Sequence, residues 1–358
     1  MPNSLASPSL LVHPHQIEIQ DFEWYALVID ARSAAAYRED RLPGAVNIPA
    51  SQVGPSRAYE PATPAPQKTL VVNEPPSMPR VLLPHASRLI AGDTVLVYCD
   101  RGGLDSMVWA APLRAAGMRV DVLGGGWGNY RRWVDAGLEL LPRVLTFRRL
   151  VAPPVSGLCR ILGVLMQQGE QVLDISMIAG QRLVPGLTLP GDQPPSQPAF
   201  ESLLLGALRR FDSMRPVWVR VGPAPLEGLT LPPALRDALQ RSAAVLLDVP
   251  LPERARAWFE RMQAMGTSLA NMVDAFGASA SPPPSKLLDQ WRTLANSGDF
   301  MNALSGIINA YIDPQNDVSR GVTHADVLRL LSLDTDAVVT CVRDWLNAYG
   351  SQPASARR

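Results

Sequence analysis

The stretch T-V-L-V-Y-C-D-R-G-G-L-D-S, residues 94–106, decides how the N-terminal part of the chain folds. β-Favouring apolar residues run directly into Cys99, and two glycines follow it. Asp105 and Ser106 then precede an alanine-rich helical pattern over Met107–Ala116. This order predicts a strand, a tight glycine loop and a helix start. Such a loop points backbone N–H groups and the positive end of a helix dipole at the sulfur, which favours a thiolate or an anionic adduct. Cys99 is therefore the first candidate for chemistry.

Strands and helices alternate on both sides of this stretch. In chain order, the pattern predicts a buried strand at Ala26–Asp30, a short helix capped by Ser33, a turn at Leu42–Ala45, and strands at Val46–Ile48 and Arg119–Leu123 before a helix over Asn129–Val134. Alternation of this kind predicts a parallel sheet with helices on both faces. The proline-rich stretch at 54–80 is predicted to be a long irregular loop.

Composition limits the functional classes. The chain has 358 residues, 47% of them hydrophobic, which predicts two or more domains with real cores. Basic and acidic residues balance at 33 each, so charge alone gives no argument for a nucleic acid partner. The absence of a long apolar run and of a leader-like N-terminus predicts a cytoplasmic protein with no membrane span. Three scattered cysteines fit a reducing compartment, and no Cys/His cluster has the spacing of a metal site.

Beyond residue 140 the pattern again alternates between the two kinds of element. Strands are predicted at Val172–Asp174, Pro216–Val221 and Ala244–Val249, and helices over Phe200–Phe211, Pro233–Arg241 and Pro252–Met265. A linker precedes helices predicted over Lys286–Ala295, Phe300–Tyr311, Ala325–Leu331 and Ala337–Tyr349. We therefore predict two α/β domains, over residues 1–140 and 141–277, followed by a linker and C-terminal helices over residues 278–358.

Two further motifs, combined with the Cys99 loop, resemble a rhodanese domain: D-A-R-S at residues 30–33 and L-P-G-A-V-N-I-P at residues 42–49. The glycine turn before Trp127 adds to the resemblance, which covers residues 15–140. It implies a rhodanese-like parallel sheet. It also implies that Cys99 accepts sulfur or selenium from a donor, carries it as a persulfide or perselenide, and hands it on.

The resemblance assigns supporting roles around the sulfur. The residues assigned to support of the anion or of the loop are Arg101, Gly102, Gly103, Ser106, Asp30 and Arg32. Arg101 would orient the anion, and the N–H groups of the loop would stabilise it. Asp30 and Arg32 would support the loop, or form only a buried ion pair that holds it.

The order of segments over almost the whole chain is similar to the bacterial tRNA 2-selenouridine synthase family. Beside the Cys99 loop, the pieces that carry this resemblance are Gln193–Ser202, Arg215–Val219, Trp291, Gly298-Asp299, Tyr311–Pro314 and Ser319. It implies a P-loop-NTPase-like α/β domain and a helical C-terminal tail after the rhodanese-like domain. It further implies tRNA as partner, a wobble uridine as acceptor, and selenophosphate or a persulfide as donor.

The stretch A-P-P-V-S-G-L-C, residues 152–159, stands where the family carries a phosphate-binding loop, of which Ser156 and Gly157 remain. Leu158 replaces the phosphate-binding lysine, and Cys159 replaces the hydroxyl residue that binds Mg²⁺. Lysine occurs only at positions 68 and 286, so no shift of the alignment supplies one. We therefore predict that ATP and GTP do not bind here, that no cofactor is required, and that Cys159 is a small apolar filler.

Two carboxylates set the Cys99 loop apart from the family: Asp100 replaces an aromatic residue and Asp105 replaces an arginine. They oppose an anionic sulfur, unless Asp105 serves only as a helix N-cap. Two functions remain open. The chain is a chalcogen transferase that works through Cys99, or it is a catalytically decayed paralogue that holds tRNA or a protein partner without chemistry. The sequence predicts no oligomeric state.

Overall fold

The computed structural model describes residues 10–11, 22–52, 83–86, 89–180, 194–220, 226, 228–279, 281–315 and 325–350. They belong to two compact units. Unit 1 comprises Met1–Leu138 and Ser196–Arg209, and unit 2 comprises Glu139–Pro195 and Arg210–Arg358. The predicted loop at 54–80 and Ser319 lie outside the described residues.

Strands and helices alternate in unit 1 as the sequence predicts. The strands are β1 (Leu10–Leu11), β2 (Leu27–Asp30), β3 (Ala45–Asn47), β4 (Thr94–Tyr98) and β5 (Arg119–Leu123). The helices are α1 (Ala34–Glu39), α2 (Leu83–Ala86), α3 (Leu104–Ala115) and α4 (Gly126–Val144), with a 3₁₀ turn at Ala50–Gln52. The last helix is much longer than the predicted segment Asn129–Val134.

The five strands form a parallel sheet in the order β1, β5, β4, β2, β3. Every residue of β2 is buried, as expected for a parallel strand that is covered on both faces. Ile29, Val97 and Trp109 are fully buried in the core. The register pairs Asp30 with Tyr98, so β2 and β4 end side by side at the edge from which the Cys99 loop leaves.

The chain then forms a second series of elements: β6 (Phe147–Val151), α5 (Leu158–Gln167), β7 (Gln171–Asp174), α6 (Ile175–Ile178), α7 (Gln197–Leu208), β8 (Val217–Arg220), α8 (Pro233–Gln240), β9 (Ala243–Asp248) and α9 (Leu251–Ala264). After it come α10 (Leu269–Gly277), α11 (Ser285–Asn296), α12 (Phe300–Ile307) with a π-helical extension at Ile308–Ile312, α13 (Asp313–Gln315), β10 (Asp326–Arg329) and α14 (Thr335–Gly350). Of these, α7 belongs to unit 1.

The second sheet is also parallel, in the order β10, β9, β6, β8, β7. Later strands lie on both sides of the central strand β6, so the carboxyl end of β6 is the switch point at which open α/β sheets bind ligands. Residues 152–157 leave the sheet there. Two parallel sheets followed by a helical C-terminal region confirm the predicted fold class.

The helices α9 to α12 of unit 2 share one apolar cluster. Trp258, Phe276 and Trp291 are its largest members, and all three are buried. The boundary predicted between residues 277 and 278 falls inside this cluster, because α10 and α11 on its two sides pack together. Within the described residues, no helix combines the length and the apolar character needed to cross a membrane.

The segment Ala325–Leu331, predicted to be helical, is a strand. Asp326–Arg329 forms β10, which pairs in parallel with β9, and the N–H of Leu330 donates to the carbonyl of Asp248 at 2.9 Å. The prediction was wrong because periodicity does not distinguish a short apolar strand from a helix. The helix predicted over Ala337–Tyr349 is present as α14, and its Val338 and Val342 pack into the core of unit 2.

Candidate functional site

Cys99 is a free thiol that immediately follows β4 and is 4% exposed. The backbone N–H of Gly103 donates to its Sγ at 3.3 Å. Gly103 is also the N-cap residue of α3, so the start of this helix faces the sulfur. A helix N-terminus carries a partial positive charge and free N–H groups, and both stabilise an anion. The structure therefore brings the sulfur and the helix start together as the sequence predicts.

Two glycine loops interlock around the cysteine. Gly102 has φ +68°, and a Cβ there would overlap the carbonyl oxygen of Leu123. Gly126 has φ +54°, and a Cβ there would overlap the carbonyl oxygen of Cys99. That same carbonyl accepts a 2.8 Å hydrogen bond from the N–H of Trp127. Only glycine fits at these two positions, because both the backbone conformation and the space exclude a side chain.

Asp30 and Arg32 form a buried ion pair at the end of β2. Nη2 of Arg32 lies 2.7 Å from Oδ2 of Asp30, and both side chains are almost completely excluded from solvent. The hydroxyl of Tyr98 donates to the same carboxylate at 2.5 Å and accepts from the N–H of Leu42 at 3.2 Å. The guanidinium of Arg32 stacks 4.0 Å from the ring centroid of Trp127. The ion pair thus contacts Tyr98, the residue before Cys99, and Trp127, which follows the second glycine turn.

Sequence reasoning missed Tyr98 and Asp40. The signal for Tyr98 was its place next to the cysteine, at the end of a strand otherwise made of aliphatic residues and one threonine. Asp40 ends α1, and its carbonyl accepts from Nη2 of Arg32 at 2.6 Å. Its carboxylate accepts from Ser202 Oγ at 2.6 Å and from Nη1 of Arg131 at 3.2 Å. Burial raises the pKa of Asp40 to about 6, although these hydrogen bonds act in the opposite direction.

The rim of the Cys99 loop is exposed. The side chains of Asp100, Arg101 and Asp105 form no hydrogen bond or ion pair within the described part of the chain. Arg101 is therefore free of the ion pairs that would fix it beside the sulfur. The alternative role of Asp105 as N-cap is wrong, because Gly103 holds that position without a side-chain bond. Asp105 lies in the first turn of α3.

Apolar side chains share this rim. Leu104 is 77% exposed and Met107 is 44% exposed, both in the first turn of α3. Ser106 in the same turn is fully buried, and its Oγ has no hydrogen-bond partner within the described residues. A buried hydroxyl without a partner is uncommon. The Ser106 hydroxyl is thus a free donor in the first turn of α3, and the N-cap of this helix lies beside the Cys99 sulfur.

The phosphate-loop-like stretch of unit 2 packs against apolar side chains. Gly157 has φ +70°, and the space beside it is filled: a Cβ there would lie 2.9 Å from Cδ2 of Leu333. Leu333 is buried, and Leu158 packs into the same apolar cluster. Val155 has φ +62°, a conformation that is strained for a β-branched residue. Phosphate binding requires free N–H groups and a cation, whereas Gly157 and Leu158 pack beside apolar side chains.

Arg254 holds this loop from the helical side of unit 2, and sequence reasoning missed it. Its Nη2 donates to the carbonyl of Pro154 at 2.7 Å. The same guanidinium pairs with Asp313, with Nη2 and Oδ1 2.5 Å apart. Asp313 directly follows the π-helical turn and belongs to the family-like segment Tyr311–Pro314. Arg254 is one of three arginines in the charged helix α9, and nothing in the sequence singles it out as the residue that holds the loop.

Cys159 differs from its prediction as an apolar filler. It is exposed, in the first turn of α5, and accepts from Nη1 of Arg220 at 3.4 Å. The same nitrogen donates to Oδ2 of Asp174 at 3.1 Å. The prediction was wrong because the cysteine begins a helix at the sheet edge instead of packing into the core. Ser156, also in this loop, is buried, with no partner for its Oγ in the described part of the structure.

No group of three or more His, Cys, Asp or Glu side chains that could hold a metal ion occurs among the residues that the structure describes.

Comparison with known proteins gives two matches. Residues 16–132 match the family described as Rhodanese-like domain. The chain is 29% identical over 161 residues to a protein named tRNA 2-selenouridine synthase from Aeromonas salmonicida (strain A449), an alignment that covers 45% of this chain and 42% of that relative. The chain thus spans about two fifths of the length of the curated relative it matches. Together with the Cys99 loop, these matches show a rhodanese-like domain in the N-terminal part of the chain and a distant similarity to a tRNA 2-selenouridine synthase.

Proposed function

We propose that this protein is a rhodanese-type transferase that moves sulfur or selenium through Cys99. The observation that carries the proposal is the 3.3 Å hydrogen bond from the N–H of Gly103 to Cys99 Sγ at the start of α3. A covalent carrier needs a nucleophile whose adduct is stabilised by its surroundings. N–H groups and a helix N-terminus supply that stabilisation without a side-chain cation.

In the first step, the Cys99 thiolate attacks the outer sulfur of a persulfide donor. The sulfur–sulfur bond of the donor breaks, and the electron pair leaves with the thiol of the donor. Cys99 then holds the outer sulfur as a persulfide anion next to the N–H of Gly103. In the second step, a nucleophilic thiol attacks the outer sulfur and forms a new sulfur–sulfur bond, and Sγ of Cys99 leaves as a thiolate. Delivery to an electrophilic carbon of a final acceptor lies beyond this step. Selenium follows the same course as a perselenide.

The acceptor is proposed from the relative alone. That protein is named a tRNA 2-selenouridine synthase, and we propose a tRNA uridine as acceptor for this chain on that ground. Arg101, exposed and without a partner in the described part of the chain, is the residue we expect to orient an anionic group on Cys99. Asp30, Arg32 and Tyr98 are positioning residues, since they are bonded to one another and Tyr98 directly precedes Cys99.

We also propose that unit 2 does not bind ATP or GTP and serves as a scaffold. The packing of Leu333 beside Gly157 supports this proposal, because the loop is lined by apolar side chains and lacks the phosphate-binding lysine. The same contact is the observation in favour of the alternative function, in which the whole chain is a decayed paralogue that binds tRNA or a protein without chemistry. The two functions differ in whether Cys99 becomes loaded.

Intact-mass spectrometry tests the proposal. The full chain is incubated with an organic persulfide, with thiosulfate and with an organic perselenide (R–S–SeH), and the Cys99→Ser variant is the control. We expect one added sulfur or selenium that is lost in this variant and retained in Cys341→Ser, which removes another free thiol. Failure of every donor to load Cys99 would overturn the transferase and leave the scaffold function.

A further inference from the structure

The charge around Cys99 changes from positive next to the sulfur to negative at the solvent-exposed rim. Close to Sγ, the N–H of Gly103 and the start of α3 supply partial positive charge. Further out, the loop carries two exposed carboxylates, those of Asp100 and Asp105. Asp100 is the next residue in the chain after the cysteine, and Asp105 lies in the first turn of the helix that faces the sulfur.

These carboxylates are unpaired, unlike many exposed acids of the protein. Asp274 and Asp289, for example, both pair with Arg292 at a solvent-exposed site. Asp100 and Asp105 form no such pair within the described residues, and Arg101 is the one cation in the stretch between them. The rim of the loop therefore has a net charge of −1 from these three side chains, with the exposed apolar groups of Leu104 and Met107 beside it.

A second feature lies in the same turn of α3. Ser106 is fully buried, yet its Oγ has no hydrogen-bond partner among the described residues. Buried hydroxyl groups are paired in most proteins because an unpaired one costs free energy. The Ser106 hydroxyl is therefore an unused hydrogen-bond donor in the first turn of α3.

We propose that the rim of the Cys99 loop selects the donor by charge: Asp100 and Asp105 disfavour small anionic chalcogen donors such as thiosulfate and favour neutral or cationic persulfides. This inference rests on the proposed function and specifies its substrate class. Like charges at the rim repel an approaching anion, while the partial charges at Gly103 lie next to Sγ and stabilise the thiolate and its adduct. Entry and retention are thereby governed by separate groups.

Loading from thiosulfate, the disfavoured reaction, can be compared directly with loading from a neutral persulfide. The Cys99 thiolate attacks the outer sulfur of thiosulfate, the sulfur–sulfur bond of thiosulfate breaks, and sulfite leaves with the electron pair. The favoured reaction transfers the outer sulfur of a neutral organic persulfide to Cys99 and releases the donor as its thiol. Both reactions use the same nucleophile and give the same Cys99 persulfide, so that a difference between them reports the approach of the donor.

The sharpest test uses two thiol reagents that differ only in charge. The 2-sulfonatoethyl and 2-(trimethylammonio)ethyl methanethiosulfonates both form a mixed disulfide with Cys99 and release methanesulfinate. Their rates are measured on the full chain from the mass of the Cys99 peptide. The ratio of the cationic to the anionic rate on the protein cancels the burial of the thiol, which both reagents meet. Division by the same ratio for N-acetylcysteine amide removes the intrinsic difference in reactivity between the two reagents.

We expect this normalised ratio to be about 5 to 10 at low salt. It should fall by about threefold in each of Asp100→Asn and Asp105→Asn, and most of it should disappear near 1 M salt. Asp93→Asn is the matched control, because Asp93 precedes β4 and lies roughly 20 Å along the strand from the cysteine. That variant should keep the wild-type ratio.

A normalised ratio at or below 1, or a ratio that the double variant Asp100→Asn/Asp105→Asn leaves unchanged, would overturn the inference. The double variant should also load sulfur from thiosulfate several-fold faster, with little change for a neutral persulfide. Equal loading from both donors in wild type and variant contradicts charge selection. If no donor loads Cys99 in any variant, the proposed function fails, while the reagent ratio still decides whether the rim is selective.

Discussion

The hydroxyl of Tyr98 donates a 2.5 Å hydrogen bond to Oδ2 of Asp30, which is also the acceptor of the guanidinium of Arg32. Burial raises the pKa of Tyr98 far above its ordinary value, with the charge of Asp30 acting in the same direction. The hydroxyl therefore stays protonated and remains a donor at any physiological pH. Since Cys99 follows directly, this bond fixes the point from which the cysteine loop departs.

Replacement of Tyr98 by phenylalanine should destabilise unit 1. The change removes a buried donor to Asp30 and the acceptor for the N–H of Leu42, so we expect a loss of about 1–3 kcal/mol in the free energy of unfolding. Urea denaturation measures it. Tyr37→Phe is the control, because Tyr37 forms one partly buried bond, to the carbonyl of Ala45, and should cost less. Equal stability of wild type and Tyr98→Phe would contradict the role of the bond.

Alanine at Gly102 should abolish loading of Cys99. The left-handed backbone alone costs about 1–2 kcal/mol with a side chain, and the new Cβ would collide with the carbonyl of Leu123. Gly103→Ala is the matched neighbour, since its φ is −118° and a Cβ there meets no atom within 4 Å. Intact-mass measurement of the Cys99 adduct compares the two. A Gly102→Ala protein that loads as fast as Gly103→Ala would show that the interlocked loops do not position the thiol.

Truncation of Leu333 should weaken unit 2 without creating a nucleotide site. Leu333 is 1% exposed, so Leu333→Ala is expected to cost about 2–5 kcal/mol. The cavity supplies neither a lysine nor a magnesium ligand, so thermal shift with Mg-ATP or Mg-GTP should be absent in both wild type and variant. Leu331→Ala is the control, because Leu331 is 82% exposed and should change stability little. Micromolar affinity of the wild type for either nucleotide is the contrary result.

The carboxylate of Asp40 should make stability depend on pH. Its folded pKa of about 6 lies above the ordinary value of 3.8, so the folded state binds the proton more tightly than the unfolded state. This stabilisation is complete below about pH 4 and is lost as pH rises through 6, an effect of roughly 2–3 kcal/mol. Asp40→Asn should therefore gain stability relative to wild type between pH 4 and 7.

Denaturation at several pH values checks this prediction for Asp40. Asp135→Asn is the control, since Asp135 pairs with the same Arg131 but is 65% exposed. Parallel stability curves for wild type and Asp40→Asn across this pH range would show that the folded pKa is not raised.

The cysteine loop and most of the sheet strands could be predicted because the signals are local. A run such as T-V-L-V-Y before C-x-x-G-G contains the strand, the loop and the helix start within one short window. Ser33 was likewise identified as an N-cap, and its Oγ accepts from the N–H of Ala36. These features depend on neighbours in the chain, so a single sequence contains the necessary information.

The features that were missed depend on partners far away in the chain. Strand β10 exists because β9 offers a free edge about 80 residues earlier, and the apolar pattern of Asp326–Arg329 does not name that partner. Leu333 against Gly157 and Arg254 on the Pro154 carbonyl are contacts of the same kind. The loss of the phosphate-binding lysine was visible in the sequence, whereas the packing of Leu333 beside Gly157 was not.

Because of helix α7, unit 1 is not encoded by one continuous stretch of sequence. It lies between β7 and β8 in the sequence but belongs to unit 1, where Arg131 on α4 pairs with Glu201 on α7 and Gly137 meets Leu205. A fragment cut after residue 138 would lack this cover. Recombination at the apparent domain border would likewise separate the sheet from its own helix, so the two units are expected to be inherited, lost and transplanted together.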